Sequence, residues 1–312
     1  MKPLHYPLRQ HGRYPYQPIT QRPDFSWPGE KRLAVFVALN LEQYAFGEGL
    51  VEDLVPHMPP PDVLNNSWRD YGNRVGAWRL LALFTSLKLP ITLLINSELY
   101  AGCPQLIDAF RAAGAEIAAH GRSNSEHQGG LDEAAERALI VQVTETIARH
   151  EGRAPAGWLS PWIAETAVTP DLLHEAGYTY VMDWCMDDQP VWLATRTGHI
   201  LSLPYPQEIN DSAAIIGRQV GAGEFADMVI DQFEELRAQS REQPLAMGIA
   251  LHSMIVGQPF RLRHLRRALE HIALRQADCW LASAGDIARF SQTVIPRPDA
   301  ATASAAREAR QP

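Results

Sequence analysis

The chain has 312 residues, 46% hydrophobic and 21% charged, which is the profile of an ordinary globular protein with enough apolar material for one large core. Its formal net charge of −8 argues against a broad nucleic-acid or anionic-membrane surface. The cysteines Cys103, Cys185 and Cys279 are scattered without a CxxC pair, the first residues lack the apolar run of a secretory signal, and no stretch approaches the roughly 20 apolar residues that span a bilayer, so a cytoplasmic protein is expected.

Residues 1–30, rich in Pro, Arg and Tyr, read as an extended N-terminal arm wrapping over the surface. Residues 31–292 read as a single catalytic domain, and residues 293–312, mostly Ala, Arg and Pro, as a flexible tail. Within the domain, Leu33 to Leu39 predicts a buried strand. Phe46 to Asn66 is Pro-rich and irregular, suited to a lid or a subunit contact. Val75 to Leu87 has helical period, Ile91 to Ile95 predicts a strand, and Pro104 to Ala113 a helix. Glu116 to Ala119 predicts the third strand and Leu131 to His150 a long helix. The strands at Gly157 to Leu159, Tyr178 to Met182 and Ala246 to Leu251 alternate with helices at Pro170 to Ala176, Phe225 to Ser240 and Arg261 to Leu274. Cys279 to Leu281 precedes a last helix. Apolar strands separated by helices imply a parallel sheet covered on both faces, and about seven such units favour an α/β barrel.

The strand ends carry polar groups in a consistent way. The first ends in Asn40-Leu41-Glu42, the second in Asn96, the third in His120, and a later one in His252. The fourth runs into Ser160-Pro161-Trp162 and the fifth into Asp183-Trp184. In a parallel barrel all carboxyl-terminal strand ends open on one face, so these groups converge though distant in sequence. His120, released after Ala118-Ala119 and followed by Gly121 and a polar loop, is the most pointed of them. Asn124, four residues on, can face the same spot. His5, His57, His150, His174, His199, His264 and His271 lack such a setting and read as surface or core residues. Trp162, Trp184 and Trp192 are either walls for a flat ring or plain core.

The order strand-Asn-x-Glu, strand-His-Gly-x-Ser, Gly-Trp-x-x-Pro, Asp-Asp-x-Pro-x-Trp and strand-Leu-His resembles the NodB-homology polysaccharide deacetylase superfamily. The blocks Asp70 to Arg79, Asp187 to Trp192 and Leu203 to Asp211 resemble its branch of PuuE-type, metal-independent allantoinases. The resemblance implies a distorted (β/α) barrel of the polysaccharide deacetylase (NodB) type and a homo-oligomer, dimer or tetramer. Family deacetylases place two aspartates after the first strand, where this chain has Asn40 and Glu42. They use His-x-x-x-His for the metal, where it has His120 and Asn124, and an arginine behind the base, where it has Leu159. Base and arginine are lost together, which avoids an unpaired buried charge. Zinc favours imidazole, thiolate and carboxylate, so no cofactor is expected. If zinc or another divalent metal binds, Glu42 and His120 are the candidate ligands.

Hydrolysis of an amide without a metal needs a base, an oxyanion stabiliser and an acid for the leaving nitrogen. Glu42, with a pKa raised by burial, is expected to be the base, His120 to orient the water, and His252 to protonate the nitrogen. Backbone N–H groups near Pro161 and Trp162, with Asn40 or Asn124, are expected to receive the oxyanion. Trp162, Trp184 and Trp192 would sandwich a flat ring, with Arg74 and Asp188 at its polar edge, and Trp158, Pro161 and Asp183 are further candidate substrate-binding residues. The expected activity is ring-opening hydrolysis of a small cyclic amide or ureide such as allantoin. The alternatives are a metal-dependent N-deacetylase of an acetylated amino sugar and a non-catalytic binding homologue.

Overall fold

The computed structural model describes residues 10–49 and 52–298. Residues 1–9 and most of the expected tail, residues 299–312, lie outside the described residues, as do residues 50–51 of the irregular segment. Nine strands form one sheet: β1 (Leu33–Leu41), β2 (Ile91–Ile95), β3 (Glu116–Ala119), β4 (Gly157–Trp158), β5 (Tyr180–Val181), β6 (Val191–Ala194), β7 (His199–Ser202), β8 (Leu245–His252) and β9 (Cys279–Leu281). The spatial order is β6-β7-β5-β4-β3-β2-β1-β8, with β9 also on β1. Every pairing is parallel except the β6–β7 hairpin. Among the described residues this ladder does not return from β8 to β6. The architecture is therefore the expected distorted barrel, curled and open on one side.

The helices are α1 (Val63–Tyr71), α2 (Ala77–Leu87), α3 (Leu99–Gly102), α4 (Pro104–Ala112), α5 (Glu133–Glu151), α6 (Thr169–Glu175), α7 (Ala222–Gln239), α8 (Ser253–Val256), α9 (Pro259–Ala273) and α10 (Ala284–Val294). All nine residues of β1 and all eight of β8 are buried, so their side chains serve two cores in alternation. Leu33, Val35, Val37 and Leu39 pack with Leu80 and Phe84 of α2, Phe225 and Phe233 of α7, and Leu265 and Leu269 of α9. Ala34, Phe36 and Ala38 pack on the opposite face with Tyr180, Leu201, Tyr205, Ile287 of α10 and Trp27 of the arm.

The arm is more than a surface wrap. Arg13 is buried, ion-pairs with Asp171 at 2.8 Å and donates to the Ala194 carbonyl at 2.9 Å. Trp27 is buried and donates its indole N–H to the Leu245 carbonyl at 2.9 Å. The β6–β7 hairpin carries no period long enough to announce itself, because four-residue strands show at most two alternations. The Phe46 to Asn66 segment also holds more order than expected. It runs into α1, whose N-cap Asp62 accepts from the Asn65 N–H at 3.0 Å.

Candidate active site

Three strand ends build the site. Asn40 of β1 stands in register with His252 of β8, and β2 separates β1 from β3, which ends just before His120. Flat strands would put β3 and β8 roughly 14 Å apart, three spacings of about 4.8 Å. The curl of the sheet and the length of the side chains close that gap. His120 Nε2 lies 3.5 Å and His252 Nε2 3.7 Å from the same oxygen, Glu42 Oε1. Glu42, His120 and His252 are all buried, at 5%, 2% and 5% exposure.

Each member is fixed by a neighbour. His120 Nδ1 lies 2.8 Å from the Leu159 carbonyl, which only accepts, so Nδ1 carries the proton and Nε2 faces Glu42. Gly121 follows at φ 65°, and a Cβ there would meet Pro161 Cγ at 2.6 Å, which requires glycine at this turn. His252 is clamped by buried Asp211, which accepts from its backbone N–H at 2.9 Å and sits 2.7 Å from Nδ1. Glu42 Oε1 accepts from Asn124 Nδ2 at 2.6 Å, and Oε2 from the Tyr44 hydroxyl at 2.5 Å. Asn96, after β2, joins the strand ends: it accepts from the Gln43 N–H at 2.7 Å and donates to Asn124 Oδ1 at 2.9 Å and to the His120 carbonyl.

The electrostatics correct one expectation. Burial alone would raise the Glu42 pKa, but the His252 charge, the facing His120 ring and the hydrogen bond from Tyr44 outweigh it and hold the carboxyl below its usual range. Burial opposes a charge on His252 too, yet Glu52, Asp211 and Glu42 surround it and lift it to about 10. Glu42 is therefore ionised and His252 protonated at neutral pH.

A second correction concerns Asn40. Its Nδ2 donates to Tyr205 Oη at 3.0 Å and to the Leu251 carbonyl at 3.1 Å, which uses both hydrogens. Asn40 thus has no donor left for an oxyanion; its Oδ1 is the buried atom without a partner. Trp162, which lines the pocket, carries a buried indole N–H without a partner among the described residues. Trp162 and Ile163 sit at φ 63° and 53°, left-handed values that cost L-residues about 1–3 kcal/mol each and persist where function holds them.

The pocket has a volume of about 150 Å3 and is lined by Asn40, Glu42, His120, Asn124, Trp162 and His252, all expected, together with Ser160, Tyr205, Asn210 and Glu52. Glu52 comes from the irregular segment and was not legible, because no apolar strand precedes it to mark it as a strand-end residue. It is buried at 5% exposure, 3.6 Å from His252 Nε2 and 3.0 Å from Tyr44 Oη. Burial and the Glu42 charge push its pKa up to about 7.

Residues 69–181 match the polysaccharide deacetylase family. The PuuE allantoinase crystal structure superposes with a TM-score of 0.81 at 29% identity, covering 91% of this chain and 99% of that one. The polysaccharide deacetylase match thus lies on residues 69–181, and the fold likeness extends over most of the chain. A structure from Pseudomonas aeruginosa PAO1 assigned to the polysaccharide deacetylases superposes with a TM-score of 0.78 at 28% identity, over 90% of this chain and 98% of that one. A Schizosaccharomyces pombe relative with the same assignment is 26% identical over 303 residues, 88% of this chain and 93% of its own length.

The side chains of the site serve a metal poorly. Glu42, Glu52 and His252 each bring one ligand atom within 4.8 Å of the others, a spacing a divalent ion can use. The hydrogens already there oppose it. Asn124 presents N–H to Glu42 while Asn96 occupies its carbonyl oxygen, and the Tyr44 hydroxyl lies between the two carboxyls. A cation at Glu42 and His120 would meet N–H and O–H hydrogens where a zinc site offers lone pairs. The donor set does not fit zinc.

Several expected pocket residues stand elsewhere in the domain. Trp158 is core: fully buried, edge-on to Tyr178, donating to Ser160 Oγ at 3.0 Å. Asp183 lies behind Ser160, accepting from its N–H at 2.7 Å and its hydroxyl at 2.6 Å, and so positions the pocket wall. Pro161 packs against Gly121 in the turn. Trp184 packs on His11 and Tyr14 of the arm. Trp192, in the hairpin, donates to the Ile295 carbonyl at 3.1 Å and faces a different cleft of about 930 Å3. Asp188 lines that cleft and another of about 740 Å3. Arg74 is exposed on the π-helical stretch Gly72–Gly76 that joins α1 to α2. These residues share motifs with the site but leave the sheet on other faces, which spacing along the chain does not reveal.

Proposed function

We propose that this domain hydrolyses a carbon–nitrogen bond in a small cyclic amide or ureide of the allantoin type, opening the ring. The observation that carries the reading is the meeting of Glu42, His120 and His252 on one oxygen inside a pocket of about 150 Å3, with Asn124 presenting a donor where a metal ligand is required. The likeness to PuuE allantoinase supports the substrate class. A pocket of this volume matches a compact ring.

In this reading Glu42, paired with His120, takes a proton from water. The hydroxide formed attacks the ring carbonyl. The developing oxyanion meets the indole N–H of Trp162, and such a donor is worth roughly 3–4 kcal/mol of barrier. His252 works as a fixed positive charge: Asp211 sits 2.7 Å from its Nδ1 and the Glu42 carboxylate 3.7 Å from its Nε2, and both hold the proton on the ring. Exposed Phe46, Leu54, Val55, Val63 and Leu64, on and beside the irregular segment, are taken as the subunit contact of a homo-oligomer.

The test is turnover on two panels, cyclic ureides and imides in one, N-acetylated amino sugars in the other. Ring opening on the first panel alone supports the reading. Release of acetate from the second panel points to an N-deacetylase, and inertness on both to a binding protein.

A further inference from the structure

The segment after β1 returns to the site through Glu52, and its route is fastened at several points. Arg69 of α1 ion-pairs with Asp53 at 2.6 Å and stacks its guanidinium 4.6 Å from the centre of the Tyr44 ring. Asn65 accepts from the Val55 N–H at 3.1 Å and donates to the Val55 carbonyl at 2.8 Å. Glu52 itself holds a left-handed φ of 59°, a conformation that persists only where surrounding contacts impose it. The result is a row of three oxygens: Glu42 Oε2, then Tyr44 Oη at 2.5 Å, then Glu52 Oε2 at a further 3.0 Å.

Proton counting assigns the ends of this row. Tyr44 has one hydroxyl hydrogen, and the shorter contact gives it to Glu42. With that hydrogen spent on Glu42, the Tyr44 oxygen can only accept towards Glu52, and a proton on Glu52 completes the 3.0 Å contact. One carboxyl is thus charged and its neighbour neutral, the division of labour an acid–base pair needs.

We propose that Glu52 is the general acid of this site and that the Tyr44 hydroxyl returns a proton from Glu42 to Glu52 after each turnover. The proposal rests on the hydrolytic reading above. Water gives one proton to Glu42, and its hydroxide forms a bond to the carbonyl carbon. Glu52 gives its proton to the ring nitrogen as the carbon–nitrogen bond breaks and the electron pair goes to nitrogen. At that point Glu42 is neutral and Glu52 charged. Tyr44 accepts the Glu42 proton and passes its own to Glu52, which restores the starting state. Overall, hydroxyl is added to carbon and hydrogen to nitrogen. The groups facing the Glu52 carboxyl are Glu42, His252, Tyr44 and Ser212, with Asp211 behind His252 and the Arg69 guanidinium on the Glu52 backbone carbonyl, and burial with the Glu42 charge keeps the acid protonated up to about pH 7.

The experiment compares wild type, Glu52→Gln and Glu42→Gln on two ring substrates, one with a basic leaving nitrogen and one with an acidic leaving nitrogen. The former needs protonation to leave and the latter does not. Glu52→Gln is expected to lose about 100-fold or more in kcat on the first and only a few-fold on the second, whereas Glu42→Gln loses both. Equal losses of Glu52→Gln on both substrates, or loss on neither, overturn the proposal while leaving the hydrolytic reading intact. A wild type inert on every ring refutes the hydrolytic reading itself. If Glu52→Gln does not fold, Tyr44→Phe decides: a first turnover at near wild-type rate followed by slow cycling supports the relay, and unchanged steady-state turnover overturns it.

Discussion

Asn124 donates its amide to Glu42 Oε1 at 2.6 Å, in the position where the deacetylase pattern carries a second histidine. The pairing turns a ligand position into a hydrogen-bond donor for a buried carboxylate. Hydrogen bonds to charged groups contribute about 1.5–3 kcal/mol. Glu42 has a lowered folded-state pKa, so its contribution is present above the unfolded value of about 4.5 and is lost as pH falls through the folded value. Asn124→Ala should therefore destabilise the protein at pH 7 by roughly that amount and progressively less as the pH falls below about 4.5. Denaturant melts over that pH range check it; equal losses throughout would show that the amide acts through packing alone.

Glu52 and His252 have the opposite pH signature. Both are raised, to about 7 and about 10, so the folded state binds more protons than the unfolded chain across that range. The neutral Glu52 contribution is complete below about pH 4.5 and lost as pH rises through about 7. The His252 contribution is complete below about 6.5 and lost through about 10. Stability from this pair should fall as pH rises, and Glu52→Gln should flatten the fall between pH 4.5 and 7. Unfolding free energies measured at half-unit pH intervals decide it; parallel wild-type and variant curves would count against a buried neutral Glu52.

Asp211 accepts both the backbone N–H and Nδ1 of His252, a double role an amide cannot fill because one of its two groups is a donor. Asp211→Asn should lower the His252 pKa and reduce ring opening about 100-fold, by analogy with the loss of one aligned electrostatic group. An imidazole NMR titration reads the first effect and steady-state kinetics the second. An unshifted imidazole with unchanged turnover would remove Asp211 from its positioning role.

Much of this site was legible because strand-end residues announce themselves. Glu42, His120 and His252 each follow an apolar run, and parallel strands open together, so their convergence could be argued without coordinates. Three things could not be. Glu52 and Tyr44 lie on irregular backbone with no period to fix their direction. The orientation of the Asn40 amide depends on the Leu251 carbonyl and Tyr205, both brought in from far along the chain. The lowered Glu42 pKa depends on charges that outweigh burial, and burial was the only term the sequence exposed. The tryptophans misled for a related reason: Trp158 and Trp192 mark core and hairpin as readily as a pocket wall.

The central claim is that Glu42 activates water in a site whose own hydrogens leave no place for a metal. Ring opening by chelator-dialysed wild type, measured beside equally treated Glu42→Gln, tests it most directly. The account predicts undiminished wild-type turnover and a loss of about 100-fold or more in the variant. Abolition of wild-type turnover by the chelator, with recovery on adding zinc, would contradict it.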